Sequence, residues 1–516
     1  MFSNMKNFTR KISALALSTV LLSSLAACST NININPARNN ANKTVLSVWT
    51  WNKIQLKPAA KEFENENPNV KINLLDRGIG AEEYHQFSAA KRNTPPDIVQ
   101  LEYPVITQYA KVGWLENASS TNVDADRYTA NAWRQVLVDG KPYALPLDSG
   151  PLTFYYNEDL LLSAGVNKAP TTWQEFHDAA RMLKEKTGAT MISVPHDASL
   201  LEAMTWQADG KPYRNADTQT AVTLATDNGV QQSAKWLQNM ISEGLVDVQN
   251  EPLSDNWGGA VETGKIAGII AGADKTPLIM GKLSHMKGKM VVAPAPSWDS
   301  NGRNSELGGS AMAVTTVSHN KKLAFKFIKW LTSSNSAILL RIKQGMVPAD
   351  KHSLSLSAFL DLMSLPDDND QPTRYYQDGW NRVIAENLRR VSTSFEWLPF
   401  EQKGRDIYQT LMRPAYYGIT ADASKAVKAD DKTVKDDDKT TKSTSTTDNT
   451  ITGLLAKWQV DVVQAGVDND FVMRTPEDKT DDENGVDAGK VKKSSTLAGR
   501  ISVDKPEANP NKINKN

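Results

Sequence analysis

Apolar residues along this chain switch between two periods. In 45–51 (Val45-Leu46-Ser47-Val48-Trp49-Thr50-Trp51) they alternate with polar ones, which predicts a strand; Ala59, Ala60 and Phe63 then share one helical face that closes at Asn67-Pro68. Residues 70–75 predict a second strand, and 97–101 a third after the Pro95-Pro96 break. Strands alternating with helices at this spacing predict an α/β fold with a largely parallel sheet.

The clearest helix start is Thr172-Trp173-Gln174-Glu175, a capping box in which Thr172 bonds the amide of Glu175 and Glu175 reaches back. Phe176, Ala179, Ala180 and Leu183 follow on one face; Val230, Ala234, Leu237 and Ile241 repeat the pattern, as do Ala324, Ile328 and Leu331. Long amphipathic helices around several short β runs predict two α/β lobes rather than one barrel. No fixed period appears, which disfavours solenoids and propellers. Two stretches are too polar to bury a core: 424–448, dense in Lys, Asp, Thr and Ser, reads as a disordered loop inserted in the last lobe, and 475–516 as a disordered tail.

The start of the chain obeys different rules. Lys6, Arg10 and Lys11 precede an apolar run from Ile12 to Ala27. At about 16 positions it is shorter than the ~20 needed to span a bilayer, so it reads as a signal peptide over 1–27. The run ends Leu25-Ala26-Ala27-Cys28, and Cys28 is the single cysteine of the 516 residues. The tetrad resembles the bacterial lipobox, which implies lipid attachment at Cys28; two acyl chains anchor stably where one is marginal. Residues 28–43, rich in Asn, read as a disordered tether.

Composition then narrows the function. Lys plus Arg and Asp plus Glu balance at 59 each, which argues against a nucleic-acid binder. One cysteine excludes a disulfide scaffold or a multi-cysteine metal site. Six scattered histidines lack any zinc-binding spacing, so neither metal nor cofactor is expected. Gly259 to Lys265 imitates the start of a phosphate loop, but Ile266 stands where Ser or Thr should hold magnesium, and the segment reads as a helix C-terminus before a strand. No G-x-S-x-G elbow is present. Paired carboxylates leave a glycosidase reading open. Against it stands an unusual surplus: 13 Trp exceed 12 Phe. Trp49, Trp51, Trp206, Trp257, Trp380 and Trp397 fall at element ends, where ligands sit in open α/β sheets, and an indole face suits the C–H face of a sugar ring. Trp114, Trp173, Trp236 and Trp330 lie in helical or apolar patterns and are assigned to packing.

Several stretches together resemble one family. They are 59–70 (Ala59-Ala60-Lys61-Glu62-Phe63-Glu64 to Asn67-Pro68-Asn69-Val70), Pro96-Asp97-Ile98-Val99, Lys141 to Pro146 with Phe154 to Leu161, Pro170 to Phe176, Lys265 to Gly268, Gly308 to Val314 and Ala324 to Leu331. In order and spacing they resemble the extracellular solute-binding proteins of ABC importers, in the sugar-binding group that includes maltose-binding proteins. The resemblance implies a periplasmic-binding-protein-like α/β fold of two lobes, a hinge crossed several times and a ligand cleft between the lobes. Lobe 1 would span 43–148 plus 312–346, and lobe 2 would span 152–308 plus 349–474. By position the cleft would receive Trp49, Trp51, Glu102, Tyr103, Asp148, Ser149, Trp206, Trp257, Gly309, Ser310, Trp380 and Trp397. Where many relatives place a stacking tryptophan this chain has Ala273-Asp274, so Asp274 would accept hydroxyl hydrogen bonds instead. The expected protein is a monomeric, non-enzymatic, lipid-anchored receptor on the outer face of the membrane. It would capture a carbohydrate, an oligosaccharide by preference, and deliver it to permease subunits. The alternatives are a non-sugar solute held by Arg341, Arg389 or Arg390, a surface glycan-active enzyme, and a structural adhesin.

Overall fold

The computed structural model describes residues 43–78, 87, 95–216, 219–366, 371–417, 449–469 and 471–475. The proposed signal peptide, Cys28, nearly all of the tether, the 424–448 loop and all of the tail but residue 475 lie outside them. Among the described residues no helix is long and apolar enough to cross a membrane, and no group of three His, Cys, Asp or Glu could hold a metal ion.

Eight strands form the main sheet: β1 (Thr44–Thr50), β2 (Val70–Asp76), β3 (Ile98–Glu102), β4 (Leu145–Asn157), β5 (Thr190–Ile192), β6 (Ile266–Gly272), β7 (Met290–Pro294) and β8 (Glu306–Val314). Their order is β2-β1-β3-β8-β4-β6-β5, with β7 also on β4. The sheet is mixed, where the strand–helix alternation predicted a largely parallel one. Pairs β1–β2, β1–β3 and β5–β6 are parallel, whereas β4 and β8 run antiparallel to every neighbour. The reason is that β4 and β8 are crossings. The first half of β4 pairs with β8 and the second half with β6 and β7, so this one strand of 13 residues belongs to both lobes. A third passage runs beside it, where the Ser149 amide donates to the Val347 carbonyl.

Alternation along the strands feeds two cores in each lobe, one on each face of the sheet. In lobe 1, Leu46, Val48, Ile98, Met312 and Val314 enter one core, and Trp49, Val99, Leu101, Ala311 and Ala313 the other. In lobe 2, Leu152, Phe154 and Tyr156 face one core while Tyr155, Ile269 and Ala271 face its opposite. Helices cover both faces. Phe63 at the buried stripe of helix Lys53–Glu66 meets Phe327 edge-on at 5.0 Å. In the helix Trp173–Thr187 the Thr172 hydroxyl accepts from the Glu175 amide at 3.1 Å. Glu175 reaches one residue further back than a capping box requires, accepting from the amide and hydroxyl of Thr171 at 2.7 and 2.8 Å. The false phosphate loop is also explained: helix Asp255–Glu262 ends, Gly264 turns the chain at φ +71°, and β6 begins.

Candidate functional site

The crossings bring a polar seam into the middle of the molecule. Asp148 lies in the first half of β4, opposite Ser310 of β8 and three residues before the strand changes partner, and is 3% exposed. Its Oδ1 accepts from the Ser310 hydroxyl at 2.6 Å, and Ser310 in turn accepts from the Gln100 amide at 2.8 Å. Thr50 bonds the other end of Gln100, so β1, β3, β8 and β4 are tied in that order by side chains as well as by backbone. The Tyr103 hydroxyl donates to the Asp148 carbonyl at 2.9 Å, and Asn52 approaches Asp148 Oδ2 at 3.5 Å.

From lobe 2, the turn after β6 supplies Asp274 and Lys275. The Lys275 ammonium lies 2.8 Å from Asp274 and 3.7 Å from Glu102 of lobe 1, an ion pair that spans the seam. Backbone carves the room for Asp274. A Cβ on Gly150 or Gly308 would collide with its Oδ1, and one on Gly272 would come within 2.5 Å. Gly308 and Gly309 lie at φ +138° and +80°, a conformation L side chains rarely adopt, so the pair is required by backbone and by space together. Glu306 completes the group: its Oε2 accepts from Asn131 at 2.6 Å and Gln135 at 2.9 Å, both on the lobe 1 helix Ala130–Gln135.

Burial of so many carboxylates has an electrostatic consequence. Desolvation pushes the Asp148 carboxyl up to about 7; the Asp274 charge adds to the rise, while the Ser310 hydrogen bond, Lys275 and Arg341 oppose it. Desolvation likewise lifts Glu306 to about 8, against the Gln135 and Asn131 hydrogen bonds and with the Asp274 and Asp148 charges. Burial works against the Lys275 charge, but Asp274 and Glu102 outweigh it and raise its pKa. Burial lowers Arg341 to about 10.

An aromatic wall borders the seam. Trp206 stacks on Phe395 with centroids 5.3 Å apart, and Trp397 meets both edge-on. The Trp397 indole N–H crosses to lobe 1 and donates to Gln135 Oε1 at 2.9 Å. Behind the wall, Arg405 lies 5.7 Å above the Trp397 ring and is held by Glu202 and Glu401, each at 3.0 Å.

The structure therefore brings Glu102, Tyr103, Asp148, Asp274, Gly309 and Ser310 together, with Ser149 beside them on β4 and Trp397 along the border; Trp206, 1% exposed, is buried against Trp397 and Phe395 and supports that border. Trp49 lies at the end of β1, buried edge-on to Phe87 at 6.2 Å with Arg77 over its ring at 4.8 Å; Trp51 follows, half-buried. Two indoles are elsewhere. Trp257 and Trp380 are 0% and 2% exposed inside the apolar core formed with Tyr155, Val261, Ile384 and Leu388. Each heads the buried stripe of its own helix, so packing, not the seam, claims them. The arginine alternatives also separate from the seam: Arg389 and Arg390 pair with exposed Glu386, and Arg341 serves the Leu147 carbonyl behind β4. Sequence reasoning missed Asn131, Gln135, Lys275, Glu306 and Phe395. Only the Gly308-Gly309 pair beside Glu306 signalled a crowded site.

Two α/β lobes, joined by three passages of chain and meeting at a polar, ring-bordered seam, define a two-lobed binding protein. The chain belongs to the family described as bacterial extracellular solute-binding protein, which matches residues 51–337. It is 24% identical over 335 residues to the arabinooligosaccharide-binding protein of Bacillus subtilis (strain 168), covering 62% of this chain and 75% of that one. It is 26% identical over 306 residues to the lactose-binding protein of Rhizobium radiobacter, covering 55% and 69%. Among solved structures it resembles the ABC transporter associated binding protein from B. animalis subsp. lactis Bl-04 in complex with β-1,6-galactobiose. There the TM-score is 0.72 and the identity 28%, over 84% of this chain and 100% of that chain. The family consists of solute-binding proteins of ABC transporters.

Proposed function

We propose that this chain is the lipid-anchored receptor of an ABC importer, that it captures a short oligosaccharide between its lobes, and that it hands the sugar to membrane permease subunits without altering it. The observation that carries the reading is the seam itself: buried carboxylates from both lobes lie beside the half-buried ring of Trp397, which packs on the buried Trp206 and Phe395. Sugar recognition needs both elements, a flat apolar face for the ring and polar groups for its hydroxyl rim. The relatives support the same solute class, since their names record arabino-oligosaccharides, lactose and β-1,6-galactobiose. A ligand contacting both lobes favours their closed arrangement in proportion to its extra affinity for that state, which gives a permease a surface to recognise.

Lipid attachment at Cys28 rests on Leu25-Ala26-Ala27-Cys28 in the sequence. A position at the outer face of the membrane follows from that anchor and from the extracellular family. The deciding experiment is a thermal-shift screen against mono- and oligosaccharides followed by titration calorimetry. Saturable stabilisation by a sugar supports the reading. The protonated carboxyl groups of the seam are what a glycosidase acid would need, so the same mixtures are assayed for new reducing ends; turnover would replace the receptor reading with a catalytic one.

A further inference from the structure

The aromatic wall is carried by a segment without regular structure. Residues 392–398 belong to no helix or strand, yet Trp397 is fixed from several directions. The Asn215 side-chain amide donates to the Trp397 carbonyl at 2.9 Å, and Glu396, the residue before, accepts from the Asn215 backbone amide at 2.7 Å. On the other side the Leu398 amide donates to Glu401 Oε2 at 3.1 Å. The ring meets Trp206 and Phe395 edge-on, and the Arg405 guanidinium lies over its face, 5.7 Å from the centroid.

Two helices converge to place that guanidinium. Glu401 and Arg405 share a face of helix Glu401–Tyr417, and Glu202 and Trp206 have the same four-residue spacing on helix Ser199–Gln207. Arg405 Nε lies 3.0 Å from Glu401 Oε1, and Nη2 lies 3.0 Å from Glu202 Oε2. Both carboxylates are buried, whereas 16% of the Arg405 side chain is exposed. Burial pushes the Glu202 carboxyl up, the Glu401 charge adds to the rise, and Arg405 opposes it. Arg405 also senses the charge of Glu102 at the seam. A buried ion cluster of this kind is a weak source of stability, since apolar replacements often do as well. What it supplies here is a fixed direction. A cation over an indole face attracts the ring, and a ring held in place beforehand spares the cost of ordering it when a ligand arrives.

Resting on the receptor reading above, we infer that Arg405 is a positioning residue of the binding site. Clamped by Glu202 and Glu401, it holds the Trp397 ring in the orientation that receives a sugar, and so sets affinity without touching the ligand.

The test is a double-mutant cycle. Arg405→Lys keeps the charge facing Glu202, Glu401 and Glu102 but loses the planar fork that spans two carboxylates beside the ring. The full chain is titrated calorimetrically at pH 7 with β-1,6-galactobiose, lactose and arabinobiose. The tightest binder is then carried through wild type, Arg405→Lys, Trp397→Ala and the double variant. Arg405→Lys is expected to weaken binding about fivefold where Trp397 is present and to have no effect where it is replaced. Effects that differ by more than about threefold support the inference; a smaller difference, the mark of a general structural role, overturns it and leaves the receptor reading intact. Binding of none of the three sugars to the wild type removes both. A second measurement needs no sugar and decides where Trp397→Ala binds too weakly to titrate. The indole N–H resonance of Trp397, assigned through Trp397→Phe, should shift in Arg405→Lys while that of Trp257 stays; an unmoved Trp397 resonance overturns the inference. If Arg405→Lys does not fold, Glu401→Gln, of the same shape, takes its place and the same criteria decide.

Discussion

The indole N–H of Trp397 donates to Gln135 Oε1 at 2.9 Å, while Gln135 Nε2 donates to Glu306 Oε2 at the same distance. One amide thus couples the aromatic wall of lobe 2 to the carboxylate of a crossing strand. Arg134 and Glu396, one residue away on either side, approach within 3.5 Å. That exposed pair adds little; the amide bridge, part-buried and bidentate, is the stronger link.

Trp397→Ala is therefore expected to weaken sugar binding by about 1–3 kcal/mol, the ordinary effect of losing an aromatic anchor. Trp397→Phe keeps a ring but removes the donor, and should weaken binding by about 1 kcal/mol, the net worth of one hydrogen bond. Titration calorimetry of both variants separates stacking from the bridge. Equal affinities in wild type and Trp397→Ala would place the sugar away from this wall.

Trp257→Ala should behave in the opposite way. Its ring fills the core under β6 with Tyr155, Val261 and Ile269, so truncation leaves a cavity and is expected to cost about 3–5 kcal/mol of stability. The folded fraction should bind sugar with near wild-type affinity. Urea unfolding read alongside calorimetry checks both halves, and weakened binding at unchanged stability would return Trp257 to the site.

That contrast shows how far the sequence alone could reach. Periodicity located the helices and strands because burial on one face leaves a local record, as in Phe176, Ala179, Ala180 and Leu183. The record for Trp257 and Trp380 was also present: Trp257 with Val261, and Trp380 with Ile384 and Leu388, are spaced as helical core stripes. Both also stand at element ends, where a ligand-facing ring and the first residue of a core stripe look alike in sequence. The seam is different in kind. Gln135 and Glu306 are 171 residues apart, and nothing in either neighbourhood encodes the contact. The parallel sheet failed for a related reason, since a strand shared by two lobes looks locally like any other strand.

The glycines around Asp274 make a second coupled pair. Gly308→Ala places a Cβ against Asp274 Oδ1 at a backbone angle of φ +138°, and should destabilise the protein by about 1–3 kcal/mol from strain alone, with the clash added. Asp274→Ala removes the clash but not the strain. The double variant should thus be less destabilised than the sum of the single ones, a non-additivity of about 1 kcal/mol or more that a double-mutant cycle in urea would reveal.

The pH dependence follows from the direction in which burial moves the seam carboxyls. Asp148 and Glu306 titrate at about 7 and about 8 in the folded chain, against ordinary values of 3.8 and 4.5. Between those limits the native state binds more protons than the unfolded one, so the slope of stability with pH is negative. Their contribution is fully present below about pH 4 and is lost as pH rises through about 7 to 8. Melting temperature should fall from pH 5 to pH 8 by more than the remaining groups explain, and Asp148→Asn with Glu306→Gln should flatten that fall. Asp274→Asn should act at a distance: removing its charge lowers the folded Asp148 pKa, so the decline ends at lower pH and its total is smaller. Differential scanning calorimetry of the wild type and the two variants across this range decides it. A wild-type curve parallel to that of the Asp148→Asn, Glu306→Gln double variant would mean that both carboxyls are already ionised at the seam.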